Sequence, residues 1–376
     1  MKILITGGAG FIGSHTADAL IDAGHEVRIL DNLQQTVHPK GQPDYLNPKA
    51  EFICGDVRDA EAWRQALADV EAVYHLAAYQ DYLTDFSTFF SVNAVSTALL
   101  YELLVAQPKL HRVRKVIVAA SQAVMGEGRY GCKHCNREPI FPQIRLEAQL
   151  SKGKWEHECP DCGQPLQWLP SDETVIQPCN QYALSKHAQE QIAIQLGRRY
   201  DIPSVVMRYS IVQGPRQSFF NAYSGAMRIF ALSLYCNRPP TIYEDGRQVR
   251  DFINIQDVVA ANQLVLEKSE ADFQIFNVGG GQAWTVSQFY QAMQAQVGKH
   301  LEPEMDGRYR FGDTRHIFSD THKLGALGWA PKRGVSESIQ AYWDYLTTFE
   351  EKQEVLAYAE KHMRRLNVIR RSDHSS

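Results

Sequence analysis

From this 376-residue sequence we expect no strongly charged surface of either sign, no secretory leader and no membrane-spanning apolar run. The formal net charge is only −4, so no broad basic surface is on offer to nucleic acid or to an anionic bilayer. Any phosphate must therefore be met locally. No apolar run approaches the roughly 18–20 residues that span a membrane. The opening Met1-Lys2-Ile3-Leu4-Ile5-Thr6 leads straight into a glycine turn, without the length or cleavage site of a signal peptide. These absences lead us to expect a cytoplasmic protein that engages neither nucleic acid nor membrane. Cysteine is modest too. Of seven, four fall into two Cys-x-x-Cys pairs, while Cys54, Cys179 and Cys236 are scattered and read as small buried hydrophobes.

What is present is a repeating alternation. Fully apolar strand-like runs at 2–6, 26–30, 51–54, 72–76 and 115–120 are separated by helix-like stretches at 11–23, 60–68 and 86–106. Strands apolar on both faces and alternating with helices predict an α/β fold, a Rossmann-type doubly wound parallel sheet. The alternation breaks between Gly126 and Gln177, in a stretch rich in Cys, Pro, Gly and Trp, and resumes with a helix over 181–199 and a strand at 203–208. Residues 127–176 thus read as an insertion in a dinucleotide-binding domain of residues 1–214. Mixed short elements over 215–345 predict a smaller α/β substrate lobe, with one strand near 250–258 returning to the main sheet. Residues 346–376 read as a C-terminal amphipathic helix and tail.

Gly7, Gly10 and Gly13 stand between the first strand and the first helix, the arrangement that lets a backbone turn under a pyrophosphate at a helix N-terminus. Asp31 ends the second strand, where a carboxylate bonds ribose hydroxyls and repels a 2′-phosphate; this favours NAD over NADP. Tyr182 and Lys186 lie four apart on one helical face. The ammonium, with a positive nicotinamide ring, would favour the phenolate. Alone, such a pair occurs on many helix surfaces. Finally, Cys132-x-x-Cys135 and Cys159-x-x-Cys162 supply four thiolates, the recipe for a closed structural zinc site holding together an insertion with little core of its own.

In order along the chain stand the glycine turn, Asp31, Asp56-Val57, His75-Leu76-Ala77-Ala78, Asn93, Ser121, Tyr182/Lys186, Gly214-Pro215-Arg216, Arg250-Asp251-Phe252 and Phe276-Asn277-Val278-Gly279. With this series the chain resembles the extended short-chain dehydrogenases/reductases, in their sugar-nucleotide epimerase/dehydratase branch. The resemblance implies that Tyr182 is the general base, Lys186 its partner and Ser121 a hydrogen-bond donor to the reacting oxygen. It implies further dinucleotide contacts from Phe11, Ile12, Asn32, Asp56 and Val57. Leu76, Ala77, Ala78, Asn93 and Tyr209, with Tyr182 and Lys186 themselves, complete that set. For the sugar nucleotide it implies Gln80, Gln122, Arg216, Asn221 and Tyr243, with Arg250 and Arg310 on the diphosphate. Two residues depart from the family pattern: Met125 replaces a tyrosine and Ile211 an asparagine.

Relatives that eliminate water carry an Asp-Glu pair after the serine, and decarboxylating relatives a glutamate; here Gln122 and Ala123 stand instead. Hydride chemistry alone remains. The simplest form is NAD-dependent epimerisation at C4 through a transient 4-keto sugar. The alternatives are a net 4-keto reductase and, more remotely, a non-catalytic NAD-sensing protein. The zinc-ribbon-like insertion and the run Asn221-Ala222-Tyr223-Ser224-Gly225 are similar to a subset assigned as dTDP-L-rhamnose 4-epimerases. A homodimer through the helices at 86–106 and 181–199 is implied by the same resemblance.

Overall fold

The computed structural model describes residues 1–81, 83–219, 225–348 and 369–372. Seven strands form one parallel sheet: β1 (Lys2–Thr6), β2 (Glu26–Asp31), β3 (Glu51–Cys54), β4 (Ala72–His75), β5 (Lys115–Ser121), β9 (Ser204–Tyr209) and β12 (Gln274–Val278). Their order is β12-β9-β5-β4-β1-β2-β3. Because successive side chains of a strand face opposite ways, Ile3 and Ile5 of β1 enter one hydrophobic cluster and Leu4 the other. Helices α1 (Phe11–Asp22) and α6 (Ile255–Glu267) contribute to the first cluster. Helices α2 (Ala60–Leu67), α3 (Phe86–Ala106) and α4 (Gln181–Arg199) contribute to the second. The expected doubly wound sheet is what forms.

Helix α3 corrects one expectation. It is 21 residues long, with a mean hydropathy of 1.6 in its most apolar window, enough by length and composition to cross a membrane. Ser91, Asn93, Ser96 and Thr97 interrupt the apolar run in the sequence and concealed this. Half of that window is buried within the fold, and Asn93, Ser96 and Thr97 all bond within the protein. A π-helical turn at Phe90–Val95 lies mid-helix.

The smaller lobe is built on β10 (Ile211–Gln213), β11 (Val249–Asn254) and β13 (Ala283–Thr285), with helices α5 (Ala226–Tyr235), α7 (Val286–Val297) and α8 (Val335–Thr347) packed in a third cluster. The strand expected to return to the main sheet near 250–258 does not do so. Val249–Asn254 stays in this small sheet, parallel to β10, and the strand that extends the large sheet is β12. The physical reason lies in α6. A parallel strand must be reached by a crossover, and α6 carries the chain back across the sheet to pair β12 with β9.

In the insertion, β6 (Arg129–Cys132), β7 (Arg137–Ile140) and β8 (Gln167–Leu169) make a separate three-stranded sheet. Its two ends meet, since the Gln177 amide donates to the Val124 carbonyl at 2.8 Å. The expected C-terminal helix falls largely outside the described residues. Where the chain is described again, β15 (Ile369–Arg371) is a strand, paired antiparallel with β14 (Arg308–Arg310). The lone cysteines also differ from expectation. Cys54 and Cys179 are exposed and Cys236 is half-buried. Cys54 ends the edge strand of the sheet, Cys179 precedes the first turn of α4, and Cys236 caps α5.

Candidate active site

Two clefts open at the carboxyl ends of the central strands, where ligands of doubly wound sheets bind. One, of about 400 Å³, is bordered by Gly7, Gly10, Phe11, Ile12, Gly13, Asp31, Asn32, Asp56, Val57, Leu76, Ala77 and Ala78. These are the residues expected to hold a dinucleotide. Two glycines explain why the turn is bare. Gly7 has φ +68°, and a Cβ there would lie 2.8 Å from the Ala77 backbone; a Cβ on Gly13 would lie 2.3 Å from the Gly7 carbonyl oxygen. The carboxylate of Asp31 accepts from the amides of Ala9 and Leu33, which fixes the turn against the second strand. Asn32 donates to Asp56. Arg28 points away from this cleft, onto the carbonyls of Ala66 and Ala68.

The second cleft, of about 570 Å³, shares Phe11, Ile12, Leu76, Ala78, Gln80 and Gln217 with the first, so the two are continuous. Ser121, Gln122, Tyr182, Lys186, Tyr243, Arg250 and Arg310 all border it. Asn180 caps α4 by accepting from the Ala183 amide, which starts the helix just before Tyr182. Ser121 caps the following short 3-10 turn. A side-chain hydrogen bond joins Ser121 to Tyr182. The Lys186 ammonium lies 6.0 Å from the centre of the Tyr182 ring and donates to the Ala119 carbonyl and to Gln189 Oε1.

The electrostatics depart from expectation. Burial pushes the Tyr182 phenol up to about 12, and the bond from Ser121 only partly opposes it. Burial also brings Lys186 down to about 7, against the field of Glu190. In the protein alone, desolvation therefore outweighs the activation expected from the lysine.

Several expected contacts fall elsewhere. Asn93 is wholly buried and donates to the Tyr79 carbonyl and the Ser185 hydroxyl, binding α3 to α4 rather than lining either cleft. Tyr209 borders the second cleft, not the dinucleotide one, and its hydroxyl donates to Asn262. Arg216 borders the dinucleotide cleft instead of the substrate side. It pairs with Asp18 and stacks on Tyr45, because its φ of +67° turns it back toward α1. Asn221 lies outside the described residues. Sequence reading missed His38 and Arg58 in the first cleft and Gln189 behind Lys186. The first two sit on loops without periodicity, whereas Gln189 was detectable, three residues beyond Lys186 on the same helix.

In the insertion, the sulfurs of Cys132, Cys135, Cys159 and Cys162 lie within 4.8 Å of one another; Cys132 and Cys162 are 3.7 Å apart, Cys135 and Cys159 3.9 Å. Four sulfurs each about 2.3 Å from a central ion stand about 3.8 Å apart. The Cys135 amide is directed at the Cys132 sulfur. His157, adjacent in sequence, is engaged with Glu127 instead.

Comparison with known proteins fits this geometry. Residues 3–144 and 158–279 match the NAD dependent epimerase/dehydratase family. This chain belongs to that family. It is 33% identical over 349 residues to a dTDP-L-rhamnose 4-epimerase of Burkholderia thailandensis, covering 89% of this chain and 93% of that protein. It is 30% identical over 350 residues to a UDP-glucose 4-epimerase of Mycolicibacterium smegmatis, covering 90% and 96%. Among solved structures, a UDP-glucose 4-epimerase of Thermotoga maritima with UDP-glucose aligns with a TM-score of 0.74 at 29% identity, over 93% of this chain and 99% of that one. A Thermus thermophilus UDP-glucose 4-epimerase in complex with NAD gives 0.71 at 28%, over 92% and 99%.

Proposed function

We propose that this protein is an NAD-dependent epimerase that inverts C4 of a sugar bound to a nucleoside diphosphate. The observation that carries this reading lies in the second cleft, continuous with the dinucleotide one: Ser121, Tyr182 and Lys186 border it together, with Gln122 and Ala123 where eliminating or decarboxylating relatives carry acids. The bare glycine turn and Asp31 fit a dinucleotide, and when bound it would accept and return a hydride at one carbon. Tyr182 takes the proton from the sugar O4 and later restores it. Ser121 bonds the same oxygen and holds the phenol in line. Lys186, with the positive charge that the oxidised dinucleotide brings, offsets the desolvation that otherwise keeps Tyr182 protonated. Arg250 and Arg310 hold the diphosphate, so that the sugar can turn over while its nucleotide stays anchored.

The decisive experiment incubates the purified protein with a panel of UDP- and dTDP-sugars without added cofactor. The C4 epimer should appear by NMR with no net change in nicotinamide absorbance. Consumption of added NADH with each turnover would point to a reductase instead, and inertness toward every member of the panel would end the enzyme reading.

The same proposal includes a structural zinc ion on Cys132, Cys135, Cys159 and Cys162. The insertion's own apolar cluster is small, centred on Tyr130, Ile140 and Leu166, so a metal would supply the folding energy it lacks. One zinc per chain by elemental analysis, lost in a Cys132→Ser/Cys135→Ser variant together with protease resistance of 127–176, is the expected result. A variant that keeps both zinc and fold would contradict it. A cytoplasmic homodimer belongs to this reading as well. Phe86, Phe90 and Val95 of α3 and Leu184 of α4 are exposed apolar side chains on the two helices concerned.

A further inference from the structure

The insertion and the substrate cleft meet in a buried charge network. Arg145, 2% exposed, forks both its terminal nitrogens onto Glu244 at 3.0 and 2.9 Å, and donates as well to the Trp155 and Asp313 carbonyls. Arg315, fully buried, reaches Glu244, Asp245 and Glu156. Glu127 accepts from the Arg315 amide at 2.8 Å, and His316 bonds Glu156 at 2.9 Å. Three insertion residues, Glu127, Arg145 and Glu156, thereby fix the backbone of 313–316 from one side.

The other side of that same backbone holds the two arginines. Arg250 donates to the carbonyls of Thr314 and Arg315 at 2.8 and 3.1 Å, and Arg310 pairs with Asp313 at 2.8 Å while stacking on Tyr243. Each step is a direct bond, so the orientation of both guanidinium groups depends on segment 313–316, and the placing of that segment depends on the insertion. Arg145 and Glu156 both lie in 145–157, the stretch that the family match skips.

We propose that Arg145 is a positioning residue for the nucleoside diphosphate: through Glu244 and segment 313–316 it sets Arg250 and Arg310, so that the insertion governs substrate grip rather than chemistry. This rests on the reading of Arg250 and Arg310 as the diphosphate's ligands. A fork on a carboxylate is geometrically exacting, and a lysine cannot reproduce it. Removing one member of a buried pair leaves its partner uncompensated, whereas removing both avoids this, and Arg315 keeps Asp245 and Glu156 when Glu244 is lost.

The test compares the unaltered protein with Arg145→Lys and with the paired Arg145→Met/Glu244→Met variant, the second guarding against simple unfolding. Calorimetry with UDP, dTDP and NAD is run beside steady-state kinetics. In both variants we expect affinity for the nucleoside diphosphate to fall by about tenfold or more, and KM to rise to match. Affinity for NAD and kcat should stay unchanged. A lowered melting temperature with unchanged UDP and dTDP affinity would overturn the proposal and leave Arg145 a structural buttress. Failure of the unaltered protein to bind either nucleotide would instead overturn the site reading itself, and the proposal with it.

Discussion

The two ends of the continuous cleft are built differently. The dinucleotide end is centred on the strand, glycine turn and helix at the start of the chain, with backbone left bare by glycine, and is completed by the loops that follow β2, β3 and β4. The substrate end is a mosaic: Gln122, Tyr243, Arg250 and Arg310 come from three regions of the chain, and the two arginines bond a segment that buried charges of the insertion also hold. A site made of backbone can tolerate little change, while one made of side chains on a separate support can be retuned.

The sharpest way to break the comparison is at the residue proposed to react. Tyr182→Phe should lower turnover by about 10²–10⁴-fold, the usual worth of a positioned general base, while both NAD and nucleoside diphosphate still bind. If turnover survives, the Tyr182 end of the second cleft is not where chemistry happens. A companion measurement follows the phenol by ultraviolet difference titration: it should titrate near 12 in the protein alone and lower with NAD bound, and Tyr182→Phe should remove the change.

Next in size is Gly13→Ala. Its methyl group would meet the Gly7 carbonyl at 2.3 Å and the Gly8 Cα at 2.7 Å. Strain of this kind costs about 1–3 kcal/mol. We expect a lowered melting temperature and loss of NAD affinity with UDP affinity retained; loss of both would show that the two ends are not independent. The smallest effect concerns the mosaic. Burial alone would raise the Glu156 carboxyl, but bonds from His316 and Arg315 bring it down to about 2. A depressed carboxyl stabilises the fold fully above its unfolded value, about 4.3, and that share is lost as pH falls through about 2. Glu156→Gln should therefore lower the melting temperature at neutral pH and flatten its decline between those values. An unflattened decline would remove Glu156 from the account.

How much of this the sequence disclosed follows the same division. The glycine turn, Asp31 and the Tyr182/Lys186 spacing are local patterns, and each side chain stands where its neighbours in sequence direct it. The central strands were legible because burial on both faces left them apolar throughout. By contrast, Arg250, Asp251 and Asn254 interrupt β11, and Gln274 and Asn277 interrupt β12, so neither reads as a core strand, and only α6, by crossing the sheet, decides which joins it. Arg216 was misplaced because its orientation depends on a left-handed backbone and on Asp18, far away in sequence. Arg145 and Arg315 carry no local signal at all, since their importance arises only when residues more than 150 apart meet, as Arg145 and Asp313 do.

The bond between Gln177 and Val124 has a consequence for descent as well as for shape. A loop whose two ends already touch can be gained, lost or exchanged by recombination without shifting the reading of the strand before it or the helix after it. Lineages of this fold could thus try new recognition modules as cassettes, while Ser121 and Tyr182, on either side of the splice, never lose sight of each other.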